Sequence, residues 1–263
     1  MLKFLIRRVV NSLVLVALAT CLGYLLAASA LHPRANFAGR NPPPPEAVVD
    51  RTLSDLNLND KTPLVDRFGK WVGGVVRGDL GKTVGGALVF DEMKRRMGVS
   101  LRLLLIGSIL GGVLGVALGV MGAVRQYRPS DHVATLGSFL VLSIPVFLLG
   151  VLLKVGALKL NAAAGTNLLY YTGEFTPGLM GSWGVRALDR FQHFILPTLA
   201  VVLPQVAFYS RYQRSAMLDV LGSDFLRTAQ AKGLRRGRAL VKHGLRTALI
   251  PMATFFAYQF GLL

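Results

Sequence analysis

Acidic residues are scarce in this sequence: 13 Asp and Glu stand against 30 Lys and Arg, a formal net charge of +17 over 263 residues. A basic excess of that size suits a phosphate backbone, but its distribution argues against nucleic acid. Residues 211–246 hold nine Lys and Arg against two acids, whereas residues 32–99 hold eleven against eight. Excess concentrated in one short segment between apolar runs is the positive-inside pattern of a membrane protein. Charge of either sign is thin, at 16%, and 52% of residues are hydrophobic, which excludes an ordinary soluble domain. Cysteine is nearly absent: Cys21 alone, in an apolar run, leaves no disulfide framework and no cysteine-based metal site. The four histidines (His32, His132, His193, His243) have no metal-ligand spacing and read as structural. No carboxylate lies inside the apolar runs, which removes the usual mark of a proton-coupled transporter. Gly78-Asp79-Leu80-Gly81-Lys82-Thr83 ends like a phosphate loop, but Val76 stands where its first glycine belongs. No ATP site is expected in this chain.

What is present is a series of long apolar segments, so the expected fold is an all-α polytopic membrane protein with about five transmembrane helices. The first covers about 9–31, with Lys3, Arg7 and Arg8 holding its start in the cytoplasm. Its apolar run of about twenty residues exceeds a signal-peptide core. Ala28-Ser29-Ala30 nonetheless resembles a cleavage site, so a removed leader is the alternative. Residues 32–97 form an extracytoplasmic segment, with a polyproline spacer at 42–45 and helical patterns at Glu46–Leu58 and Pro63–Val76.

Helix two runs from about Val99 to Val124, and its Gly107, Gly111, Gly115 and Gly119 share one face for close helix packing. Helix three, about Val133 to Leu158, carries Ser143-Ile144-Pro145 near its middle, where the proline is expected to kink it, the kink being either only shape or the lining of a path. Ser143, Pro145 and Phe147 are the candidate path residues. Lys154 is placed to snorkel outward, and Tyr170, Tyr171 and Trp183 of the loop at 159–192 are interfacial aromatics. Helix four spans about Phe194 to Tyr209, with Arg211 and Arg214 marking its cytoplasmic exit, and helix five runs from Thr247 to Leu263. The loops at 125–132 and 211–246 are then cytoplasmic, and the expected divisions are 1–31, 32–97 and a core at 98–263.

The chain is organised around its basic stretch from Asp219 to Pro251, which must fold in water between two spans. Ser223 or Asp224 is a fair N-cap, Phe225 to Lys232 a short helix, and Gly233 its stop. Phe225, Leu226 and Ala229 give that helix an apolar edge. A second helix from about Arg236 leads into helix five. Taken by composition alone, the stretch reads rather as a solvated topogenic loop touching anionic lipid.

D-F-L-R-T-A-Q-A-K-G-L from Asp224 to Leu234, followed by His243-Gly244-Leu245-Arg246 and Leu249-Ile250-Pro251, resembles the EAA loop of ABC importer permeases. The likeness is to their dipeptide/oligopeptide branch, with Arg227-Thr228-Ala229 in place of Glu-Ala-Ala. Leu2–Arg8, Arg77–Gly81, Ser143–Phe147 and His193–Pro197 resemble further motifs of that family. The resemblance implies the first permease of a pair, multi-pass in the bacterial plasma membrane, importing di- or oligopeptides. Its implied partners are a second homologous permease, two cytoplasmic ATPase subunits and an extracytoplasmic binding protein, besides membrane lipid. ATP and Mg would sit on the ATPases, and this chain, which is not an enzyme, would need no cofactor and no metal. The residues implied to couple to the ATPases are Asp224, Phe225, Arg227, Thr228, Ala229, Lys232, Gly233 and Leu234. A sixth helix is also implied, and the sequence to Leu263 does not show it. A membrane-anchored scaffold or receptor, or a family member with non-peptide cargo, are the alternatives.

Overall fold

The computed structural model describes residues 2–39, 42 and 44–262, so part of the expected proline spacer (Pro43) and the final Leu263 lie outside the described residues. Two compact units divide at Gly98 and Val99.

The first unit contains α1 (Leu2–Ala30), α2 (Ala35–Ala38), α3 (Glu46–Asp55), α4 (Leu64–Val76) and the start of α5 (Val89–Val124). α3 and α4 fall on the two helical patterns, each entered from a proline at its N-cap, Pro45 and Pro63, with extended backbone. Phe37, Val49 and Leu53 are buried together, with Leu58 and Val84 against them. Arg34 donates to both Asp50 and Asp60 at 2.6 and 2.8 Å and pins α2 to this small core. α1 meets α4 through aromatic rings, Tyr24 stacking on Trp71 at 4.5 Å with Phe68 beside them. The segment that ends like a phosphate loop is a tight turn: Gly78 and Gly81 both take φ +79°, and the Gly81 N–H bonds the Asp79 carboxylate at 2.8 Å.

The second unit is a helical bundle. It holds the rest of α5, then α6 (Pro129–Ser143), α7 (Val146–Ala164) and α8 (Trp183–Leu221), followed by the connector and α12 (Ile250–Leu262). Among the described residues, four helical stretches are long and apolar enough to cross a bilayer by themselves: Leu2–Ala38, Val89–Val124, Val146–Ala164 and Trp183–Leu221. α12, with 13 residues, reaches the last described residue and falls within the expected helix five.

Several helices outrun the expected spans. α5 starts ten residues before Val99, and α8 covers 39 residues rather than stopping near Tyr209. The loop expected at 159–192 shrinks to 165–182, because α7 continues to Ala164 and α8 starts at Trp183. Hydropathy marks where apolar side chains stop; helical hydrogen bonding continues wherever the next residues tolerate it. The extension brings Asp189 into α8. It is buried and accepts bonds from the Thr176 N–H and hydroxyl at 2.9 and 2.6 Å.

The glycine face of α5 is filled by α8. A Cβ at Gly107 would meet Val201, one at Gly111 Gln205, one at Gly115 Tyr209, and one at Gly119 Gln213, each at 2.6–2.7 Å. The partner advances four residues whenever the glycine does, so the two helices run parallel in one register. Gly112 lies off that face and leaves room for the Phe256 ring of α12. α12 also packs on α8 through rings, Tyr209 stacking on Phe256 at 5.2 Å and Phe255 meeting Phe208 and Tyr212 edge-on.

Helix three is broken rather than kinked. Ile144 and Pro145 are extended, at ψ 123° and 139°, so α6 and α7 are separate helices. The residue before a proline is driven out of the helical region by the Cδ clash, and the missing N–H removes the bond that would hold the turn. Lys154 lies 5.1 Å over the Tyr171 ring, while Tyr170 stacks on buried His193 at 4.2 Å. Tyr170 is therefore a packing residue, unlike Trp183, which is 83% exposed.

Candidate functional site

α8 ends at Leu221, and after Gly222 and Ser223 the chain turns into α9 (Asp224–Ala231). Ser223 occupies the N-cap position with extended backbone, but its hydroxyl donates back to the Val220 carbonyl at 2.6 Å. α9 thus begins one residue before Phe225, and Asp224 in its first turn favours the positive helix end.

The C-terminus is closed by backbone geometry. The Gly233 N–H bonds Gln230 O at 2.9 Å and the Leu234 N–H bonds Ala229 O at 3.3 Å. This reciprocal pair is a Schellman motif, which needs a left-handed residue after Lys232, and Gly233 supplies φ +91°. The chain then re-enters helix as α10 (Arg236–Ala239), widens into a π-turn (Leu240–Leu245), and returns through α11 (Arg246–Ala248) to α12. α9 is therefore tied to the bundle from both directions within a few residues.

One side chain anchors it. Leu226 is only 2% exposed and reaches under Gly244 of the π-turn, where Val220 and Met217 of α8 also converge. Behind this contact, Ala123 of α5, Met217 and Val220 of α8 and Ala248 of α11 form one buried cluster with Leu240 against it. Burying one Leu contributes about 1.5–3 kcal/mol, so α9 is seated on the π-turn where it meets the end of α8.

The rest of α9 faces outward. Asp224, Phe225, Arg227, Thr228, Lys232 and Gly233 are exposed, and Ala229 and Leu234 are partly buried. Arg227 and Asp224 approach to 3.8 Å, but with side chains 74% and 96% exposed they form a weak surface pair. The expected apolar edge is split: Leu226 points inward while Phe225, 45% exposed, stays on the outer side. Adjacent helical residues lie 100° apart, so the two cannot share a buried line. The outer surface is a short basic patch with one aromatic, presented on a rigid base. Sequence reasoning grouped Leu226 with Phe225 and gave Met217 no part. The buried Leu226–Gly244–Met217 seat has no local signal, since it joins three elements.

Ser143, Pro145 and Phe147 lie together at the α6–α7 break and are all exposed, Phe147 at 77%. The Ser143 hydroxyl is turned to Phe139 O at 2.8 Å.

These features define a polytopic α-helical membrane component that presents one anchored polar helix outside its apolar bundle. Residues 115–263 match the model of the family described as "Binding-protein-dependent transport system inner membrane component". The oligopeptide transport system permease protein OppB of Mycobacterium tuberculosis is 54% identical over 98% of this chain and 79% of its own length. Oligopeptide transport system permease protein AppB of Bacillus subtilis is 33% identical over 97% of this chain and 78% of its own. A glutathione transport system permease protein, GsiC of Escherichia coli, is 32% identical over 83% of this chain and 66% of its own. The chain belongs to this family of inner membrane transport components.

Proposed function

We propose that this chain is a permease subunit of an ATP-driven importer of di- or oligopeptides, and that α9 is the helix through which ATPase motion enters it. The observation that carries the reading is the seating of α9: one face held by Leu226 on the ends of α8 and the π-turn, the opposite face exposed. A helix held in this way transmits a push from outside to α8 and α12 without a flexible linker. The peptide cargo is supported by the oligopeptide permeases among the relatives.

In this reading the N-terminus is cytoplasmic and the basic stretch faces the cytoplasm, as its Lys and Arg excess favours. The membrane is the bacterial plasma membrane. Asp224, Phe225, Arg227, Thr228 and Lys232 meet the ATPase, while Ala229, Gly233 and Leu234 set the closeness and end of the docking helix. ATP and Mg are held by two partner ATPase subunits. A second homologous permease completes the path, and a binding protein delivers cargo from outside. Ser143, Pro145 and Phe147 line the path at the α6–α7 break.

The test is a reconstituted complex carrying Ala229→Glu or Gly233→Pro. Peptide uptake is expected to fall to background while the permease still inserts, because the first forces a charge into the partly buried edge of α9 beside Leu226 and the second cannot adopt φ +91°. Co-purification in detergent is the companion measurement: wild type brings down an ATPase. Normal uptake by both variants removes the coupling role.

A further inference from the structure

Arg211 and Arg214 enter the sequence as markers of a cytoplasmic exit. The fold uses them differently. Arg214 makes a two-pronged bond to Asp131 of α6, Nε to Oδ1 and Nη2 to Oδ2, both at 2.7 Å. The Asp131 side chain is only 3% exposed, and it also accepts the Tyr127 N–H of the α5–α6 turn at 3.0 Å. The Arg211 guanidinium lies 4.0 Å over the Phe139 ring of α6. One residue earlier on each helix, the hydroxyls of Ser138 and Ser210 meet at 3.1 Å in a buried site. All three links leave α8 from one stretch, Ser210 to Arg214, and all three reach α6 before the Ile144–Pro145 break. On the other side of that break, α7 packs on α8 without an ion pair to it among the described residues. Pro197 and Pro204 of α8 lie between the clamp and His193, where the outer loop stacks.

We propose that Asp131, Arg211 and Arg214 are positioning residues for transport: they lock α6 to the cytoplasmic half of α8 as one body. A displacement of α9 then carries α6 with α8, and the Ile144–Pro145 break is where the motion is released. The physical ground is that a paired buried charge holds two helices in one arrangement, because separating the pair strands the buried Asp131 carboxylate without its two charge-assisted bonds. A broken backbone, which has already given up its helical bonds at that point, bends at little further cost. The inference rests on the coupling reading of α9 and adds which helices move together.

The experiment is Ser138→Cys with Ser210→Cys in a Cys21→Ser background, in the full transporter. Copper phenanthroline with oxygen accepts the two electrons as the thiols form a disulfide. Equal disulfide formation in nucleotide-free and ATP-plus-vanadate states, and no loss of uptake in the crosslinked complex, is the expected result. Crosslinking that depends on the nucleotide state, or uptake lost on oxidation and restored by a thiol reductant, overturns the proposal; no disulfide in either state overturns the contact beneath it. Asp131→Asn gives a second readout: ATP hydrolysis is retained while peptide moved per ATP drops, and Asp131→Glu restores part of it. An unchanged ratio of transport to hydrolysis counts against the clamp. Failure of the peptide reading shows separately, as a reduced complex that hydrolyses ATP and accumulates no peptide, and leaves the crosslinking comparison intact.

Discussion

Gly119→Ala tests the α5–α8 seam most directly. A Cβ at Gly119 would lie 2.5 Å from Ser210 O, 2.7 Å from Gln213 Cβ and 3.0 Å from Arg214 N. Ordinary carbon contacts are about 3.5–4.0 Å, so α8 must retreat by about an ångström. The obstructing atoms are backbone and a Cβ, which no rotamer change can move aside. Overpacking of this kind costs about 1–3 kcal/mol, and the retreat also loosens the stretch that carries Ser210 and Arg214. Against this stands a helix-propensity gain of at most about 1 kcal/mol for Gly to Ala. Gly150→Ala in α7 isolates that gain, because nothing lies within 4 Å of its Cβ position. The measurement is thermal unfolding of the purified protein in detergent, with the two variants side by side. The expected order is Gly150→Ala at or above wild type and Gly119→Ala below it. The gap should be about 2–12 °C, at 2–4 °C per kcal/mol for a chain of this size. A Gly119→Ala protein as stable as Gly150→Ala would refute the close parallel packing.

Two further predictions concern the site and the clamp. Leu226→Ala removes the one buried anchor of α9; the expected cost is about 2–5 kcal/mol locally, read as faster amide exchange over 224–234 with the bundle unchanged, and uptake falls with it. The Arg214 guanidinium and the Tyr127 N–H hold the Asp131 carboxyl below its usual range. A depressed carboxylate contributes stability above its unfolded value of about 3.9 that is lost only as pH falls through the folded value. Clamp-dependent stability is therefore flat from about pH 8 to 5 and decays only in acid. Asp131→Asn should shrink the acid-side decay in a melting profile taken against pH, leaving the part that other ion-paired carboxylates such as Asp50 and Asp60 contribute, and a wild-type decay already complete at neutral pH would contradict the ion pair.

Much of the bundle is legible from one dimension. Glycines four residues apart must share a helix face, so the packing face of α5 follows from spacing alone. Gly233 after a short polar helix likewise forecasts a left-handed stop. Proline at 145 forecasts an interruption, though not its depth, because whether a proline bends or breaks a helix depends on the neighbours holding each side. Helix ends were misplaced for a similar reason: the limit of an apolar run and the limit of hydrogen bonding coincide only when a breaker sits there. The caps of α8 fall at Ser182 and Gly222, outside the hydrophobic stretch.

Membrane solvation and basic-residue bias act on local composition, so the class, the apolar segments and the position of the polar helix are readable along the chain. Only the tertiary structure decided what the individual charges and small residues do. Arg214 is indistinguishable from any topogenic arginine until α6 brings Asp131 to it, 83 residues away in sequence. Leu226 separates from Phe225 only when Gly244 and Met217 converge on one side of α9. Such contacts join residues far apart along the chain, and their energy depends on burial and geometry that no local pattern encodes.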